Sequence, residues 1–125
     1  MTTQAMKYIE DLMRSIGIPY DFMTWQDPTI PERYYVGEYT EVESPYEEES
    51  GYQETSFMLT GFTNSAWSLL ENDKASIKKV LPKQVIFPDG SACAVLYANS
   101  FPIRQDNISL KRIQINLTIK EWKVN

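Results

Sequence analysis

Residues 112–120 read RIQINLTIK, and their alternation decides the kind of fold this chain can adopt. Ile113, Ile115, Leu117 and Ile119 fall on one face of an extended strand, and Arg112, Gln114, Asn116, Thr118 and Lys120 on the other. A strand that is apolar on one side and polar on the other belongs to an antiparallel sheet covered on a single face. The cover should be helical, and two segments are suited to it. Ala5, Met6, Ile9, Leu12, Met13 and Ile16 recur at three- and four-residue spacing, which makes one apolar stripe. Thr2 or Thr3 can cap that helix, and Gly17 followed by Pro19 stops it. A second helix is predicted from an N-cap at Asn64 or Ser65 to Pro82, with Ala66, Trp67, Leu70, Ile77, Val80 and Leu81 on its buried side. Glu71 and Asp73 toward its start and Lys78 and Lys79 in its last turn complement the helix dipole.

The remaining segments fill out a sheet. Residues 33–42 and 52–62 are strand-like and joined by SPYEEESG, a linker with Pro45, three successive glutamates and Gly51. In the first of these strands Tyr34, Val36, Glu38 and Thr40 share one face, and Tyr35, Gly37, Tyr39 and Glu41 share the other. Between residues 19 and 31 three prolines interrupt PYDFMTWQDPTIP; it reads as an extended crossover, although Phe22 with its neighbours could form a short strand. Near the C-terminus, Val85–Phe87, a Pro88-Asp89-Gly90 turn and Ser91–Ala98 lead to the closing strand. The expected architecture is α+β in the order α-β-β-α-β-β: a four-stranded, mainly antiparallel sheet with two helices on one face and a long acidic hairpin. At 125 residues the chain is expected to form a single domain, 1–125.

Composition narrows the chemistry. The chain has no histidine, which removes the commonest general base and metal ligand, so zinc sites, Ser-His-Asp triads and Cys-His dyads are excluded. Cys93, the single cysteine, lies among apolar neighbours and reads as a small buried hydrophobe. The carboxylates lack the D-x-D-x-D-G order of a calcium loop, and no glycine-rich phosphate-binding pattern occurs. No catalytic, cofactor-binding or metal-ligating residue is therefore assigned, and neither an enzymatic activity nor a cofactor is expected. No apolar run approaches the roughly 20 residues of a membrane span, and Glu10 and Asp11 spoil the N-terminus as a signal peptide. A cytoplasmic site of synthesis is expected.

Charge is the conspicuous feature. The net charge is −5. Residues 34–73 hold 9 acidic and no basic side chains, while residues 74–125 hold 9 basic and 3 acidic, a net +6. A chain polarised in this way can attract a copy of itself. The candidate contact residues are Tyr35, Glu38, Tyr39, Glu41, Glu43, Tyr46, Glu47, Glu48 and Glu49 on the acidic side. On the basic side they are Arg104, Lys111, Arg112, Lys120 and Lys123. The excess of tyrosine around the hairpin favours the same reading, because tyrosine suits interfaces that are apolar in the body and wet at the tip. The basic residues of the last strand, with Trp122 among them, could instead bind nucleic acid or simply keep the strand soluble; the low pI of about 4.7 disfavours the former.

ERYYVGEYTE (32–41), GYQETSFMLTGFT (51–63), SAWSLLENDKASIKKVLP (65–82) and NISLKRIQINLTIKEWK (107–123) together resemble the tail terminator, or tail completion, proteins of long-tailed phages and prophages of Gram-positive bacteria. The resemblance rests on size, texture and element order rather than on a diagnostic motif. It implies a virion protein of the tail and neck, assembled in the host cytoplasm into a ring, typically a hexamer, at the head-proximal end of the tail tube. Its implied partners are further copies of itself, the tail tube protein and the head-tail connector, with no membrane and no specific nucleic-acid binding. A second reading is a small acidic phage-encoded inhibitor that mimics DNA. The +6 of residues 74–125 counts against it, because a mimic needs negative charge over much of its surface.

Overall fold

The computed structural model describes residues 1–42, 51–104 and 109–124; the side chain of residue 42 is not described. The elements in chain order are α1 (Thr3–Ser15), β1 (Tyr20–Phe22), β2 (Arg33–Val42), β3 (Gln53–Thr63), α2 (Ser68–Val80), β4 (Lys83–Ile86), β5 (Ala92–Ile103) and β6 (Lys111–Trp122). The strands form one curled, six-stranded sheet in the order β1-β2-β3-β6-β5-β4. All neighbours are antiparallel except β1, which runs parallel to β2. This overturns the four-stranded, α-β-β-α-β-β expectation: the order is α-β-β-β-α-β-β-β and the sheet is mixed. The two additional strands are three and four residues long. Elements that short show no periodicity, and proline flanks both, so only pairing with a long neighbour makes them strands.

The long strands follow the alternation that their sequences carry. On β3, Thr55, Phe57, Leu59, Gly61 and Thr63 are buried, and on β6, Ile113, Ile115, Leu117, Ile119 and Glu121. Ala5, Ile9 and Met13 of α1 and Leu70 and Ile77 of α2 pack against them, with Tyr35 and Val95, in one apolar cluster. Both helices therefore lie on the same side of the sheet. Thr2 caps α1, its hydroxyl accepting from the Ala5 N–H at 3.1 Å. Gly17, at φ +74°, turns the chain out of the helix.

The cap expected for the second helix is not where the sequence placed it. α2 starts at Ser68 behind Trp67, which makes no side-chain cap, because the Thr63 hydroxyl accepts from the Ser65 N–H at 3.0 Å and holds residues 63–65 in a turn. Asp73 of α2 is buried and takes a two-pronged contact from Arg33 of β2, with Nε–Oδ2 3.1 Å and Nη2–Oδ1 3.2 Å. Arg33 also donates to the Gly17 carbonyl at 3.2 Å, so one guanidinium ties α1, β2 and α2 together.

Candidate interaction surface

Opposite the helices, the second face of the sheet carries no helix among the described residues. Register fixes its composition row by row. Tyr34 on β2 lies opposite Phe62 on β3, Phe62 opposite Arg112 on β6, and Arg112 opposite Ile103 on β5. Tyr34 and Phe62 stack with ring centroids 5.0 Å apart, Trp25 leans on Tyr34 at 5.1 Å, and the Arg112 guanidinium stands 5.9 Å above the Phe62 ring. The far end of the same face repeats this chemistry. Tyr52 meets Trp122 at 5.7 Å, and the Lys120 ammonium lies 4.8 Å from the centre of the Tyr52 ring. Between the two ends the rows carry Glu38 and Met58 beside polar residues: Gln114 donates to Asn116 at 2.9 Å and Asn116 to Asn99 at 2.7 Å.

The basic residues read from the last strand do not form a stripe. Lys111 and Arg112 point to opposite faces, and the Lys111 ammonium donates to the Ser65 carbonyl at 2.8 Å on the helix side. Arg112 and Lys120 share the open face but are eight residues apart, on the order of 26 Å along a strand. Glu54 stands directly opposite Lys120 within the same chain. Arg104 and Lys123 are exposed beyond the ends of β5 and β6.

The acidic candidates divide as well. Tyr35 is fully buried, so it serves the core rather than a partner; Gly61 leaves room for its ring. Burial, and then the negative charge of nearby Asp73, push its hydroxyl well above the usual tyrosine range. Tyr39 is exposed at the edge and stacks on Phe22 with centroids 5.9 Å apart. Glu38 is exposed on the open face, and Glu41, on the helix side, meets the Met1 ammonium. Glu43, Tyr46, Glu47, Glu48 and Glu49 lie outside the described residues.

Other candidate chemistry is spent within the fold. Among the described residues no three His, Cys, Asp or Glu side chains cluster as metal ligands would, and no helix is long and apolar enough to cross a membrane. Two adjoining clefts of about 530 and 390 Å³ run between α1 and β1. Their charged groups are already engaged: Arg14 with Glu10 at 2.8 Å, and Asp21 with the Gln26 N–H at 3.0 Å. Cys93 is buried, and burial together with the nearby Glu121 carboxylate raises its thiol to about 11, which leaves it unreactive at neutral pH. Glu121 itself is buried and accepts from the Thr2 backbone N–H at 3.2 Å, and its carboxylate also takes the Thr2 hydroxyl.

Comparison with known proteins adds a fold relationship. No family model and no curated protein sequence matches the chain. Among solved structures, a chain from the virion of a native gene transfer agent particle shares the fold. The TM-score is 0.59, over 88% of this chain and 83% of that one, with 10% sequence identity.

Proposed function

We propose that this chain is a structural protein of a phage or phage-like virion, working by contact rather than catalysis. In the finer reading, copies of it form a ring, a hexamer in the simplest case, at the head-proximal end of the tail tube. The ring ends tube polymerisation and offers the head-tail connector a docking surface. Its partners are then other copies of itself, the tail tube protein and the connector protein. The observation that carries this reading is the fold held in common with a virion chain across 88% of the sequence despite 10% identity. The polarised charge, the resemblance of the strand and helix segments to tail terminators, and an open sheet face dressed with tyrosine, tryptophan and arginine support it.

The test is tube length. Tail tube protein from the same genome, polymerised with and without this chain and imaged by negative stain, should give shorter tubes with one decorated end when the chain is present. Identical length distributions with bare ends would remove the terminator role. Bound protein along the tube wall would place the chain elsewhere in the particle.

A further inference from the structure

The exposed apolar side chains sort by edge of the sheet. Among the described residues the large ones are Met23, Ile30, Tyr39, Ile86, Phe101 and Val124. Met23 and Ile30 belong to the crossover from β1 to β2, and Tyr39 lies on β2 beyond the part that β1 covers, so all three are at one edge. Ile86 is on β4, and Phe101 on β5 beyond the part that β4 covers, which puts both at the opposite edge. Val124 joins them, because its Cγ2 is what a Cβ on Gly90, in the turn between β4 and β5, would meet at 3.2 Å. β3 and β6, which separate the two edges, carry none.

The crossover is braced from within. The Gln26 N–H donates to the Asp21 carboxylate at 3.0 Å, the Thr29 N–H to Asp27 at 2.8 Å and the Trp25 indole to the Thr29 carbonyl at 3.3 Å. Met23 and Ile30 are nevertheless 61% and 66% exposed, so apolar surface is presented on a segment with little freedom left to lose on binding. The opposite edge has a matching recess: beside Ile86, Val85, Ala92 and Trp122 line an open hollow of about 260 Å³. Charge follows the same division. Residues 21–38 hold Asp21, Asp27, Glu32 and Glu38 against a single basic residue, Arg33, which is turned onto Asp73. Residues 78–104 hold Lys78, Lys79, Lys83 and Arg104, all exposed, against Asp89 alone. On the outer side of α1, next to the first edge, Lys7 pairs with Asp11 at 3.0 Å and Arg14 with Glu10 at 2.8 Å, so the helix leaves the balance of charge there unchanged.

We propose that the two edges join successive copies of this chain: the crossover edge of one copy, with Met23 and Ile30, docks on the β4 edge of the next, covering Ile86 and its hollow. A second copy is the fitting occupant because the chain carries both halves of the match. Each edge is apolar and carries charge of one sign, so an edge meets its opposite favourably and its own kind with repulsion. The apolar side chains supply the affinity, and the surrounding carboxylates and lysines supply the choice of edge. Two different patches at opposite ends of one sheet make a head-to-tail contact, which closes into a ring where the rotation between copies allows it. The inference rests on the ring reading above and supplies its joint.

Two variants separate the halves of the joint, Ile30→Glu on the crossover and Ile86→Glu on β4, both at exposed positions outside the core. By light scattering at low salt, wild type should be an oligomer that added salt dissociates. Each variant alone should be a monomer. An equimolar mixture should give a dimer and nothing larger, since only one intact joint remains. A charge exchange tests the same joint without touching its apolar residues. Glu32→Lys with Glu38→Lys should abolish association, and so should Lys79→Glu with Lys83→Glu. All four changes in one chain should restore it, because the two edges have then traded sign. Oligomers of wild-type size in both isoleucine variants would overturn the edge joint and leave the ring reading standing. A mixture that stays monomeric, or a wild type that is monomeric at low salt whatever its effect on tubes, would overturn the joint as well. A dimer from the mixture, in a protein that leaves tube length unchanged, would keep the joint and remove the terminator role.

Discussion

The two faces of β3 and β6 are made by the same strands and differ in what removal of a side chain should cost. Phe57 is fully buried on the helix-covered face, whereas its neighbour Met58 is half-exposed on the open face. Burial of an apolar side chain is the main source of stability, and a truncation beneath the helices leaves a cavity as well. The open face buries less, so its side chains should contribute less to stability than those beneath the helices.

The sharpest way to break this contrast is Phe57→Ala beside Met58→Ala. The first should cost about 3–5 kcal/mol in chemical denaturation, and the second should stay within about 1 kcal/mol. Equal losses would mean that the open face is covered by something the described residues do not include. Asp73→Ala should cost about 3 kcal/mol by the same measurement, because Arg33 is then left with an unpaired, largely enclosed charge. Gly61→Ala should cost about 1–3 kcal/mol, since a Cβ there collides with the Tyr35 ring and presses on Ile113 at 3.0 Å. In the double variant Gly61→Ala with Tyr35→Leu part of that loss should return, and additive losses would place the collision elsewhere.

A pH series sharpens the same picture of the covered face. The Cys93 thiol is raised from 9.0 to about 11 in the folded chain, so folding favours its protonated form. That contribution is whole below pH 9 and is lost as pH rises through about 11, with Tyr20 and Tyr35 adding losses in the same direction at higher pH. Denaturation midpoints measured from pH 7 to 11 should therefore fall, and Cys93→Ala should flatten the part of the fall that starts near pH 9. The smallest effect belongs to Arg112→Ala, which should change stability by less than about 1 kcal/mol. If the open face is a contact surface, the same substitution should weaken association in ultracentrifugation far more than it changes the melting temperature.

The sequence carried both helices, three of the long strands and the face-by-face sorting of side chains, because each of those elements is long enough for its period to be counted. RIQINLTIK alone placed Ile113 to Ile119 inside and Arg112 to Lys120 outside. It also sorted Tyr34 from Tyr35, yet it could not say which of them faced the helices. That was settled by Gly37 and Gly61, whose missing side chains admit Phe57, Tyr20 and the Tyr35 ring on one face only. A run of basic letters likewise concealed that Lys111 and Arg112 are on opposite sides of the sheet. The two short edge strands were only hinted at, by Phe22 and by Val85–Phe87 before its turn. β1 and β4 are too short to have a period of their own, and they exist where β2 and β5 present unpaired backbone to them. Hydrophobic alternation in one dimension thus determined the layers of this protein, and hydrogen bonding between distant segments decided where its edges are.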